Sequence, residues 1–191
     1  MPVAAVGEAA LGRIHGAMVG ALALVCGVPI PMAAQRLPVR MEIDAYHATV
    51  SRAFSVPTQE VGIIAEWPLG PDEIAVVLFV ARSAGVSPDV VASLRRGRPW
   101  ADILRLYSVG AGALRISFPD GAPLGPLEDT YRTFGETPRP SWADIELSDD
   151  TVIALVNIRA LAPQLGVTVE RVLETWGGEG DFVSVHQRLT R

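Results

Sequence analysis

The stretch FVARSAGVSPDVVASLRRGRPW, residues 79–100, decides how the rest of the chain is read. It holds the end of an apolar helix at Arg82-Ser83-Ala84, a tight turn at Gly85-Val86, and a second helix opened by Ser87-Pro88-Asp89. Serine is a preferred N-cap because its hydroxyl can accept from a free amide of the first turn. Proline fits the first helical position, where no amide hydrogen is needed, and a carboxylate there meets the positive end of the helix dipole. Gly97 stops this helix, and Pro99-Trp100 opens another whose apolar face is Trp100, Ile103, Leu104 and Tyr107.

Upstream, Asp72-Glu73 starts the helix that feeds the turn, and residues 74–81 are apolar on every face. Such a helix has no side to give to water, so it is expected at the centre of a bundle. The β-branched run 75–80 would also suit a strand, but the helical turn that follows favours helix. Further upstream, Ile43, Tyr46, Val50 and Phe54 recur at three- and four-residue intervals and predict an amphipathic helix over 42–54. A second short helix is expected from Pro57 through Ile64, ending before Trp67-Pro68.

The same order of features returns near the C-terminus. AGVSPDVVASL (84–94) and LGVTVERVLET (165–175) share an apolar residue, Gly-Val, a hydroxyl residue, and an apolar residue four positions beyond it. Each follows an acidic cap and an almost wholly apolar helix. Each precedes a glycine and then an aromatic, Trp100 or Phe182, that opens a last helix. Five features in the same order predict a three-helix unit used twice, each copy burying its apolar face on the other. Ser55-Val56 and Ser108-Val109 echo the turn more faintly. The fold class read from this pattern is all-α: a small bundle of two helix–turn–helix-like repeats. Residues 35–116 hold the first repeat, residues 117–148 form a Pro/Gly-rich linker with a short helix, and residues 149–191 hold the second.

Residues 1–34 read as an address. Arg13 and His15 precede an uncharged run, 16–34, that ends in small residues before Gln35-Arg36. A weakly positive start, an apolar core and a small-residue junction are the parts of a secretory signal, with cleavage expected after Ala34. Retention of the same run as a membrane anchor, lipidation at Cys26, or a buried cytosolic helix are the other readings. Cys26 is the only cysteine, so no internal disulfide or cysteine metal site exists. About half of the residues are apolar (49%) and 19% are charged, which suits a folded core and excludes a disordered solvating chain. All basic residues are arginine and the net charge is -5, a balance that argues against a dedicated nucleic-acid binder.

Val80-Ala81-Arg82-Ser83-Ala84-Gly85-Val86-Ser87 with Val91 resembles the helix–turn–helix of the lac repressor family of bacterial regulators, over about twenty of the 191 residues. The resemblance implies that the second helix would enter a major groove. Its outward face weighs against that role. With Val91 and Leu94 pointing inward and Ala92 on a flank, Asp89, Ser93 and Arg96 face out, and Glu170 and Glu174 do so in the second copy. Carboxylates facing phosphates repel, and phosphate contacts supply most of the affinity for DNA. The one basic cluster, Arg95, Arg96 and Arg98, also sits where cations suit a helix C-terminus. These three arginines are the candidate partner-binding residues.

No HExxH, P-loop or G-x-S-x-G pattern occurs in the chain. His47 and His186, the histidines beyond the leader, have no acidic neighbour at a ligand spacing and are expected at surface or half-buried positions. Asp72-Glu73 and Asp149-Asp150 fall where helix caps belong. No catalytic residue, cofactor site or metal site is therefore assigned. The expected function is that of an exported, non-catalytic structural or interaction module of the cell envelope, whose partner is a protein or another envelope component. Membrane contact is expected only through the N-terminal segment, if it is retained. The alternative is a helix–turn–helix DNA-binding regulator, and a third idea is a hydrolase using His47 or Asp72.

Overall fold

The apolar run at 74–81 is a helix, and all of its residues but Phe79 are buried. The computed structural model describes residues 32–191, which form one compact unit. Its helices are α1 (Met32–Phe54), α2 (Thr58–Ile64), α3 (Glu73–Ala84), α4 (Pro88–Arg95), α5 (Trp100–Leu106), α6 (Glu128–Glu136), α7 (Asp149–Leu165), α8 (Val169–Trp176) and α9 (Phe182–Thr190). Among the described residues there is no strand, and the fold is all-α. The expected leader, 1–34, lies outside the described residues except for its last three, which form the start of α1. The first helix thus begins at Met32, ahead of the 42–54 span expected from periodicity.

Central helices α3 and α7 are the most apolar. Ile74 to Leu78, Val80 and Ala81 are buried on α3, as are nine residues of α7, among them Val152, Leu155, Ile158 and Leu161. Helix α7 packs against α1, α3, α5, α8 and α9, so it touches elements from both ends of the chain. The largest fully buried side chains include Trp100, Tyr46, Phe134 and Phe182. Trp100 and Phe182, the aromatics that open α5 and α9, are therefore core residues.

The turns share one geometry. Gly85 (φ 68°, ψ 30°) ends α3 and Gly166 (φ 66°, ψ 28°) ends α7, both left-handed. In each case the next residue, Val86 or Val167, donates its N–H to a carbonyl five residues back, that of Ala81 at 3.0 Å or Ala162 at 3.1 Å. This is the left-handed cap that satisfies the last carbonyls of a helix, and glycine adopts it without a Cβ penalty. Two serines do the same: Ser55 and Ser108 both have φ 54°. Val56 bonds back to Ser51 O at 3.0 Å, and Val109 to Leu104 O at 2.8 Å.

Helix starts differ between the two stretches. Thr168 accepts from Arg171 N at 3.2 Å, as a cap should. Ser87 occupies the N-cap position of α4, but its hydroxyl donates to the Asp89 carboxylate instead of accepting an amide. Ser148 and Asp181 cap α7 and α9 by accepting from Thr151 N (3.2 Å) and Ser184 N (2.7 Å).

Residues 117–148, expected as a linker with a short helix, carry their own packing. A 3-10 turn at Gly125–Leu127 leads into α6, and a second spans Arg139–Asp144. Phe118, Tyr131, Phe134 and Trp142 form a chain of edge-on rings with centroids 5.2–5.8 Å apart. The Tyr131 hydroxyl clamps Ile116 by accepting from its N–H at 2.9 Å and donating to its carbonyl at 2.7 Å. Trp142 Nε1 donates to the carbonyls of Phe134 (3.0 Å) and Thr137 (2.9 Å). Buried Leu127 and Phe134 dock the segment onto the common core.

Candidate functional site

The arginine cluster splits on inspection of its side chains. Helix α4 buries Val91 and Ala92, and a residue three or four positions further on, Arg95, shares their face. Arg95 accordingly turns inward. Its Nε lies 2.6 Å from Glu73 Oε1, one Nη lies 2.8 Å from Asp149 Oδ2, and the other donates to Arg98 O at 2.7 Å. The guanidinium also sits over the Trp100 ring, 5.1 Å from its centroid. Trp100 completes the knot: its Nε1 donates to Glu73 Oε1 at 3.1 Å, and its backbone N–H donates to Asp149 Oδ1 at 2.7 Å. Glu73 Oε2 accepts from Gly70 N at 2.8 Å.

Four residues, one each from α3, α4, α5 and α7, are thereby closed on one another, and the Arg95 side chain is only 20% exposed. Asp149, expected to cap its own helix, instead caps the first residue of α5. The register corrects the expectation that Leu94 points inward with Ala92 on a flank: Ala92 is fully buried and Leu94 only half-buried.

Arg96 and Arg98 are exposed. Arg96 lies over Trp67, 4.8 Å from the ring, a cation–π contact that orients the side chain while leaving its charge in water. Of the three candidate residues, two therefore present their charge to solvent and the third is engaged within the fold. From sequence Trp67, which supports Arg96, could line a sugar or peptide site but reads more readily as core; it is half-buried. Nothing in its local pattern distinguishes it from a core tryptophan.

A second polar group lies inside the bundle. The Tyr46 hydroxyl donates to Asn157 Oδ1, and both residues are fully buried. Asn157 Nδ2 donates to the carbonyls of Asp72 (3.0 Å) and Ile153 (2.9 Å), tying α7 to the start of α3. Asp72 Oδ2 accepts from Phe182 N at 3.4 Å, and burial raises the Asp72 pKa above the usual carboxylate value. His47 and His186 are both buried, not at the surface. His47 Nε2 lies 3.4 Å from Pro71 O, and His186 Nε2 shares a 2.9 Å hydrogen bond with Thr49 Oγ1. Burial lowers both histidine pKa values, helped at His186 by the nearby Arg52.

A hydroxyl bonded to an imidazole is one part of a nucleophile–base pair. Thr49, however, is 1% exposed and also bonds Arg52 and Ala45 O, and none of the surface clefts described below reaches it. The pair is arranged to satisfy buried polar groups, which a hydrocarbon core otherwise leaves at high energy. No group of three or more metal-ligating side chains is found among the described residues. Among them too, no helix is long and apolar enough to cross a membrane.

Clefts open on the surface of the bundle. One of about 340 Å³ lies between α5 and residues 143–147, floored by Leu104, Val109 and Leu147 with Arg105 at its rim. Another of about 250 Å³ lies where α3 and α7 run side by side. Comparisons with protein-family models, with curated proteins and with solved structures find no match for this chain, so the site is read from its own geometry.

Proposed function

We propose that the protein is an exported, non-catalytic interaction module of the cell envelope, built from two helix–turn–helix-like repeats that serve as packing units. The observation that carries this reading is the inward turn of Arg95 onto Glu73 and Asp149. The cation best placed to follow a groove-reading helix is spent on holding four helices together. The outward side of the corresponding helix in the second copy carries Glu174, exposed and paired with Arg171 at 3.0 Å. Matching turns at Gly85 and Gly166, and matching aromatics at Trp100 and Phe182, support the two-copy description. The partner surface is Arg96 and Arg98 beside Trp67, which suits a carboxylate-bearing protein or envelope component.

The export part rests on the uncharged run ahead of Gln35. Cell fractionation followed by N-terminal sequencing tests it. Recovery from the envelope or medium with a new terminus near Gln35 supports the reading, whereas an intact Met1 in the cytosolic fraction contradicts it. The competing reading is a DNA-binding regulator using the same exposed arginines, which requires salt-sensitive binding to duplex DNA that is lost in Arg96→Ala/Arg98→Ala.

A further inference from the structure

Helices α3 and α7 lie side by side, and between them opens a cleft whose chemistry the interaction reading does not use. Phe79, Arg82 and Ser83 recur at three- and four-residue spacing on α3, so they share one face; Arg159 and Gln164 reach the same cleft from α7. Phe54, at the end of α1, closes one wall. The floor is apolar and the rim carries two guanidiniums, a hydroxyl and a primary amide.

Arg159 is held as a fixed donor. One Nη donates to Ala113 O at 2.7 Å, the other to Arg115 O at 2.8 Å, and the guanidinium lies 5.6 Å from the Phe79 ring centroid. A guanidinium has five N–H donors, so these two bonds leave three. Carbonyl oxygens orient the group without neutralising it. Arg95, Arg105, Arg132 and Arg171 each have a carboxylate partner, but among the described residues no carboxylate lies within ion-pair distance of Arg82 or Arg159. Burial lowers the Arg159 pKa, with the Tyr131 hydroxyl opposing that shift in part. An anion entering this cleft would meet a preoriented guanidinium on one side and the exposed Arg82 on the other.

We propose that the α3–α7 cleft is a binding site for a small amphipathic carboxylate, its head held by Arg159 and Arg82 and its apolar body against Phe54 and Phe79. Carboxylates match the planar guanidinium fork in a bidentate fashion. At about 250 Å³ the cleft is below the ~300–1,000 Å³ of sites for larger ligands, which limits the body to one ring or a short acyl chain. The inference does not depend on the interaction reading.

Calorimetric titration of the full chain with phenylacetate, benzyl alcohol and inorganic phosphate tests it. Phenylacetate is expected to bind saturably, and benzyl alcohol, which keeps the ring and lacks the charge, roughly tenfold or more weakly. Arg159→Lys keeps the charge but loses the fork, and is expected to weaken phenylacetate roughly tenfold. Arg82→Gln, at an exposed position with no side-chain hydrogen bond or ion pair among the described residues, is expected to weaken it several-fold and remains informative if Arg159→Lys does not fold. The proposal is overturned by absence of saturable phenylacetate binding, by benzyl alcohol or phosphate binding as tightly, or by unchanged affinity in Arg82→Gln.

Discussion

Arg95 shows how one side chain can change the meaning of a motif. In sequence it belongs to a basic cluster; in the fold it joins Glu73, Asp149 and Trp100 in a partly buried knot. Exposed ion pairs contribute about 0–1 kcal/mol and breaking a buried one costs about 3–5 kcal/mol. Arg95→Ala, between those limits, should lower unfolding stability by about 2 kcal/mol in urea titration, while Arg96→Ala and Arg98→Ala should each change it by less than about 0.5 kcal/mol. Tyr46→Phe makes a second test of the interior. It leaves Asn157 Oδ1 without its buried donor and should cost about 1–3 kcal/mol in the same titration.

The position of Arg95 was recoverable from spacing, since it follows the buried Val91 by one helical turn. Its partners were not, because Glu73 and Asp149 are distant in sequence and meet it only when α3 and α7 are packed. The deep burial of His47 and His186 is not legible in sequence for the same reason: their partners Pro71 and Thr49 lie on other elements.

Among the elements, the turns were the most legible. Gly-Val after an apolar helix announced the left-handed cap at Gly85 and Gly166, because few other residues tolerate that conformation. Ser55 and Ser108 adopt the same positive φ with a Cβ. Left-handed backbone costs about 1–2 kcal/mol for a non-glycine residue. Ser55→Gly and Ser108→Gly should therefore each raise the thermal midpoint by a few degrees, and Gly85→Ala should lower it. A fall in both serine variants would mean that the hydroxyls hold those turns. The Pro/Gly-rich segment 117–148 was less legible. Its aromatic ring chain and the Tyr131 clamp on Ile116 join residues whose spacing follows no helix or strand period.

Across the whole molecule, buried titratable groups set a pH response. His47 and His186 have folded pKa values below the 6.5 of an unperturbed histidine. In the window between the two values the unfolded chain binds more protons than the folded one, so stability rises with pH there and falls as pH drops below about 6.5. Asp72 acts oppositely, since its raised folded pKa makes the native state the better proton binder above pH 3.8. Denaturant midpoints at pH 7 and pH 5 should therefore show a loss toward acid that is smaller in His186→Gln. Asp72→Asn should be more stable than the parent at pH 7, with the gain shrinking toward pH 4.

The central claim is that a helix–turn–helix shape here serves packing and protein contact, with its inner arginine engaged by Glu73 and Asp149. Fluorescence anisotropy of labelled duplex DNA, titrated with the full chain at low and at moderate salt, tests it most directly. The account predicts no saturable binding at either salt concentration, and the same result for Arg96→Ala/Arg98→Ala. Tight binding that falls steeply with salt, and disappears in that double variant, would contradict it.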